Sequence, residues 1–208
     1  MSFRRLEADD FVVSSEAISS TCWTTNAPQL TTFFTSSTQA NGSSGNYYLN
    51  LFDSATTSST QFAIAYGNAQ GSGSAVYNTA VNGLSPTSTI FGQWQDLVIG
   101  DENTNFVFGN ITSSEFFALP IERACYKDSL FLGSLELKLS GTLGSIVLTD
   151  NSSLYSTNGL TVQFNEAGRV FQLVSGSSGA INTSVNADGY SLASGSYGLL
   201  LPDIGTII

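Results

Sequence analysis

Histidine is absent from all 208 residues, and only 6 of them are lysine or arginine. The first absence removes the usual general acid/base, proton shuttle and metal ligand of neutral-pH chemistry. No serine stands in a nucleophile elbow, and no imidazole exists to activate one. The shortage of cations opposes nucleic-acid binding, which needs a positive surface to displace counterions from phosphate. With 16 acidic residues the formal charge is −10, which opposes anionic membranes as well. No apolar run approaches the roughly 18 residues of a transmembrane helix. Behind Arg4 and Arg5 come Glu7, Asp9 and Asp10, and no signal-peptide core follows. The expectation is a cytoplasm-like compartment, with Cys22 and Cys125 as reduced, buried thiols rather than a disulfide.

What remains is material for strands and turns. Serine and threonine supply 53 of the 208 residues, and 41% of the chain is hydrophobic. Charged residues make up 11%, less than half the usual share of about 25%. Such a chain has ample core material and short hydroxyls for its wet faces. The sequons at Asn41, Asn110, Asn151 and Asn182 are what this much Asn, Ser and Thr produces by chance.

Residues 1–25 lack a clean period and read as an N-terminal arm, anchored by Phe11, Val12, Val13 and Ile18. Residues 26–208 read as one mainly β domain of antiparallel strands and hairpins, with α+β as the alternative class. Leu30–Ser36 and Tyr47–Phe52 suit strands. In Gln61–Tyr66, Phe62, Ile64 and Tyr66 fall on one face and Ala63 and Ala65 on the other. One amphipathic helix is expected near residues 86–99. Ser85 would cap it and Pro86 would sit in its first turn. Ile90, Phe91, Trp94, Leu97 and Val98 would form its apolar face, and Gly100 would stop it. A short helical turn is expected over Thr112–Phe117.

Beyond Pro120 the period returns to two. Leu135, Leu137 and Leu139 lead into Gly141–Ser145 and then Ile146–Leu148, a hairpin. Leu160, Val162 and Phe164, the turn Asn165–Gly168 and Arg169–Val174 make a second, with Ser175–Gly179 as a loop. Pro202–Gly205 reads as a turn. Gly205–Ile208 then reads as a strand without its partner, so that the polypeptide is expected to continue past Ile208 and to associate through that apolar end.

Candidate chemistry is sparse. Asp101-Glu102-Asn103-Thr104-Asn105 begins like a calcium loop, but Phe106 stands where glycine is needed and Thr112 where the bidentate glutamate belongs. It reads as a polar turn after the helix. Gly67–Ser74 lacks the Gly-Lys-Ser/Thr ending of a phosphate loop and reads as a connector. Asp96 with Asp101, or Glu115 with Glu122, are carboxylate pairs whose separation spacing alone does not fix. No catalytic, cofactor-binding or metal residue is assigned. Three of the six cations, Arg123, Lys127 and Lys138, fall close together in sequence. On a strand Arg123, Cys125 and Lys127 would share a face, either lowering the thiol's pKa or meeting an acidic partner. The second reading makes Arg123, Lys127 and Lys138, with Trp94, the candidate interaction residues. Trp94 itself is expected in the core by its helical spacing.

Several stretches together resemble a known family. They are AYGNAQGSGS, SPTSTIFGQWQDLVIGDE, FVFG and IERACYKDSLFLGSLELKLSG, with FRRLEADDFVVSSEAIS before them and GRVFQLVSGSSG and SYGLLLPDIGTII after. They resemble virion structural proteins of large contractile-tailed phages, especially the myoviruses of marine cyanobacteria. The resemblance implies a non-enzymatic tail or baseplate component, found in the virion and in host cytoplasm during assembly. Its implied partners are other virion proteins in a symmetric, multi-copy assembly. Relatives of this kind are longer at the C-terminus. The alternative is a receptor-binding or adhesin-like β domain.

Overall fold

The computed structural model describes residues 34–35, 48–52, 60–71, 86–101, 103–109, 111–126, 128–142, 144–158, 161–182 and 196–208. The expected N-terminal arm, Cys22 and Lys127 lie outside these residues. The protein is mainly β, as its hydropathy pattern requires. In chain order come β1 (Phe34–Thr35), β2 (Tyr48–Phe52), β3 (Thr60–Asn68), helix α1 (Thr87–Ile99), β4 (Phe106–Phe108), β5 (Ile111–Ser113) and β6 (Glu115–Pro120). Then follow β7 (Leu137–Gly141), β8 (Gly144–Asp150), helix α2 (Ser152–Asn158), β9 (Gln163–Asn165), β10 (Gly168–Ser177), β11 (Ala180–Ile181), β12 (Gly198–Leu201) and β13 (Thr206–Ile207).

The main sheet is antiparallel and runs β1-β2-β3-β6-β13-β12-β10-β8-β7, with β9 and β11 paired to β10. β4 and β5 form a separate ribbon. Both expected hairpins are present, as β7–β8 and β9–β10. β10 runs further than expected, to Ser177, so the loop placed at Ser175–Gly179 is only a tight turn into β11.

The sheet carries a core on each face, which explains the unbroken Leu199-Leu200-Leu201. A strand covered on both sides has no polar face to alternate with. Leu199, Leu201 and Ile208 join one cluster with Phe91, Val98, Phe106, Phe116 and Val170. Leu200 and Ile207 join the other, with Tyr126, Leu130, Phe171 and Leu173. The expectation that the last residues lack a partner strand is therefore corrected. β13 pairs with β12 on one side and β6 on the other. Leu199 and Ile208 exchange backbone bonds of 2.7 and 2.9 Å. The turn between β12 and β13 is the expected one, with Gly205 at φ 63°. A side chain there would strain the backbone, and its Cβ would lie 2.3 Å from the Tyr126 ring.

Helix α1 lies against β3. The buried face of β3 is the small one, Gln61, Ala63, Ala65 and Gly67, while Phe62, Ile64 and Tyr66 are half-buried on the other. Small residues let the helix come close: a Cβ on Gly67 would stand 3.1 Å from the Phe91 Cα. Gly100 ends the helix in the left-handed conformation, as expected, its N–H meeting the Gln95 and Asp96 carbonyls at 3.2 and 3.0 Å. At the other end Pro86 is itself the N-cap, with no side-chain cap. Proline thus stands one place earlier than expected, and Ser85 is outside the described residues.

The buried positions of the helix are Thr87, Phe91, Gln95 and Val98. Ile90 and Trp94 pack at the rim of the first core, and Leu97 is 49% exposed. The expected face is rotated because Gln95 turns inward, its Nε2 donating to the Thr104 carbonyl at 2.8 Å. The helical turn expected over Thr112–Phe117 is absent. β5 ends at Ser113 and β6 begins at Glu115, held between β3 and β13. Helix α2 is unannounced by any period. It starts where the buried Asp150 carboxylate accepts the Ser152 N–H at 3.1 Å and the Gly133 N–H at 3.0 Å.

Candidate interaction surfaces

Of the six cations, Arg123 was expected on a strand beside Cys125. It opens instead a short 3-10 turn, Arg123–Cys125, directly after β6. The chain bends there because the two residues just before the turn are tied in different directions. The Ile121 N–H reaches the Gly205 carbonyl at 2.8 Å, and the Glu122 N–H reaches Gln61 at 2.9 Å. The guanidinium folds back, donating to the Tyr126 carbonyl at 2.6 Å and lying 4.6 Å from the centre of its ring. Burial pushes the Tyr126 hydroxyl up from its ordinary pKa, with the nearby Arg123 charge opposing. Cys125 is half-buried, its sulfur 3.9 Å from the Gln61 carbonyl. The strand face that would have set two cations beside the thiol does not form.

Lys138 is exposed on β7, the far end of the strand order from β3 and β6. Of the described cations of that sequence cluster, Arg123 follows β6 and Lys138 lies on β7, at different places along the strand order. Trp94, the fourth candidate, is half-buried at the rim of the first core.

Sequence spacing gave no hint of the Arg169–Asp203 pair. The Arg169 side chain grips both Asp203 oxygens, with Nε at 3.0 and 3.1 Å, and its backbone N–H adds a bond of 2.8 Å. This ties the start of β10 to the turn before β13. The hydrogen bonds from Arg169 hold the Asp203 carboxyl below its ordinary range, against the opposing effect of burial. Because the folded pKa is depressed from about 3.9, the stabilisation is fully present above that value. It is lost as pH falls through the lower, folded pKa. Both side chains are partly open to water, so Asp203→Asn is expected to cost about 1 kcal/mol at neutral pH. The gap between variant and native chain should narrow progressively as pH falls below about 3.9. Urea titrations across that range measure it, and a gap that persists in acid would assign the cost to packing.

The other missed arrangement lies on the open face of β3 and β6. Tyr66 stands opposite Phe117, their ring centres 5.0 Å apart, and Asn68 stands opposite Glu115. The Tyr66 hydroxyl donates to Glu115 Oε2 at 2.6 Å and accepts from Asn68 at 3.1 Å. The carboxylate holding its proton raises the Tyr66 pKa, burial adds to this, and the Asn68 bond opposes. The alternation in β3 was legible, but not which of its faces stays open.

Asp101 forms the polar turn expected after the helix. Its carboxylate accepts from the Thr104 hydroxyl at 2.7 Å and from the Asn103 N–H and side-chain amide at 2.8 and 3.2 Å. These bonds, that of Thr104 first, lower its pKa. Phe106, at the sixth position of the calcium-like stretch, is a buried core residue starting β4. Of the sequons, Asn151 is fully buried and bonded through its backbone and side chain to Gln172, where no glycan fits.

The described residues thus define a mainly antiparallel β protein with two cores, one packed helix and aromatic side chains left on its surface. Among them, no helix is long and apolar enough to cross a membrane. Compared with family models, curated proteins and solved structures, the chain matches none.

Proposed function

We propose that the chain is a non-enzymatic structural component of a tailed phage particle, in its tail or baseplate, working through contacts with neighbouring subunits. One observation carries the reading. With a core already on each face of the sheet, large apolar side chains still point outward: Ile111 is 64% exposed, Phe117 59%, Phe131 67% and Phe164 70%. Covering such area is worth roughly 25 cal/mol per Å², and an assembly subunit gains it on docking. Low charge density and hydroxyl-rich strands suit the partly polar interfaces of repeated copies. The sequence resemblance to virion proteins of contractile-tailed phages supports the same assignment.

Mass spectrometry of separated heads and tails, from particles of a phage encoding the chain, is the test. The chain is expected in the tail fraction. Recovery only from infected-cell lysate, and from neither fraction, overturns the proposal.

A receptor-binding role is the second reading, favoured by the Tyr66–Phe117 pair with Glu115 and Asn68 beside it. Aromatic faces flanked by a carboxylate and an amide suit a polar ligand with an apolar side.

A further inference from the structure

We infer that two copies of this chain pair along their β7 edges, antiparallel, about a two-fold axis at Leu137. Among the described residues β7 ends the strand order, bonded to β8 alone, and residues 138–141 are exposed. An open edge presents a row of backbone donors and acceptors to any strand that fits it.

The sequence along this edge selects its own copy. Leu135 and Glu136 lead directly into β7, which begins at Leu137, and the alternation of exposure continues back through them, so that Glu136 and Lys138 fall on one face and the three leucines on the other. Leu135 and Leu137 pack against the second core, whereas Leu139 is 46% exposed. Glu136 is exposed and accepts the Ser177 hydroxyl. In an antiparallel pair centred on Leu137, Glu136 stands opposite Lys138 of the partner subunit, and Lys138 opposite the partner's Glu136. Leu139 comes to lie opposite the partner's Leu135 and is covered. Directly opposed residues have Cβ atoms about 5 Å apart, so both charge pairs meet.

Other centres lose this match. About Lys138 two lysines face each other. About Leu139 the lysine meets Ser140 and Glu136 meets Thr142, so neither charge finds its opposite. A lysine on an edge usually discourages pairing. Here the glutamate two residues before it cancels that effect in one register only, giving an isologous interface. For its biological use the inference rests on the assembly reading, which it deepens by naming a partner.

The test uses the purified full chain in size-exclusion chromatography with light scattering. The native chain is expected at twice its own mass at high concentration, dissociating on dilution. Glu136→Lys opposes lysine to lysine, and Lys138→Glu opposes glutamate to glutamate. Each alone should elute at the single-chain mass with an unchanged circular dichroism spectrum. Mixed in equal amounts, the two variants should recover the dimer mass, since each then supplies the charge the other lacks. The double swap Glu136→Lys/Lys138→Glu should dimerise by itself, and it carries the test if a single variant misfolds. A native chain that stays monomeric at the highest concentration overturns the inference, as do single variants that dimerise like it. A monomer would leave the particle experiment above standing.

Discussion

Deleting Thr206–Ile208 is expected to abolish cooperative folding of the chain. Ile207 and Ile208 are both buried, one in each core, and burial of each contributes about 1.5–3 kcal/mol. The deletion also removes ladder bonds on both sides of β13, each worth about 1 kcal/mol net. Together these reach well into the roughly 5–15 kcal/mol that holds a domain folded. The damage is larger than the sum suggests, because β6 and β12 each become an edge, and Gly198–Leu201 carries no polar residue to suit one. Urea unfolding followed by circular dichroism should show no sharp transition, and a dye for exposed apolar surface should bind strongly. A cooperative transition near that of the intact chain would show that the two halves of the sheet fold without their joint.

The second large effect is expected at Phe106. Its ring is almost fully buried and meets three others: Phe116 at 4.8 Å, Phe91 at 5.8 Å and Phe108 at 5.9 Å between centres. It therefore holds the β4–β5 ribbon, which among the described residues pairs with no other strand, onto the helix and sheet. Phe106→Ala should cost about 3–5 kcal/mol. Val107, the next residue, faces outward, and Val107→Ala should stay within about 0.5 kcal/mol. Chemical denaturation of the two variants makes the comparison. Equal, small losses would mean that the ribbon contributes nothing to the core.

What could be read in the sequence follows from where a period survives. The leucines of β7 and the alternation around Phe164 point to hairpins because one face of each strand meets water. Gly100 marks the helix end because its backbone conformation favours glycine. β12 and β13 carry no such signal: covered on both faces, they become an apolar run that reads as an unfinished end. The inward turn of Gln95 depends on a carbonyl nine residues away, which no helical period contains. Arg123 and Cys125 have strand spacing, yet bonds to Gln61 and Gly205 bend the chain there. The surface candidates fared alike. Lys138 is exposed where alternation places it, whereas Tyr66 and Phe117 come together only through a register that joins β3 to β6.

That register has a counterpart in time. β6 is complete at Pro120, but its partner in β13 begins at Thr206, 86 residues later. At synthesis rates of roughly 5–20 residues per second, β6 waits about 4–17 s for that partner. β1, β2 and β3 can pair with one another and with β6 during this interval, while the other edge of β6 stays open on the ribosome. Closing a loop of this length is entropically slow, so the seam between the halves forms last. Newly made chains are most exposed to mispairing in those seconds, and slowing translation between residues 121 and 205 would lengthen the hazard.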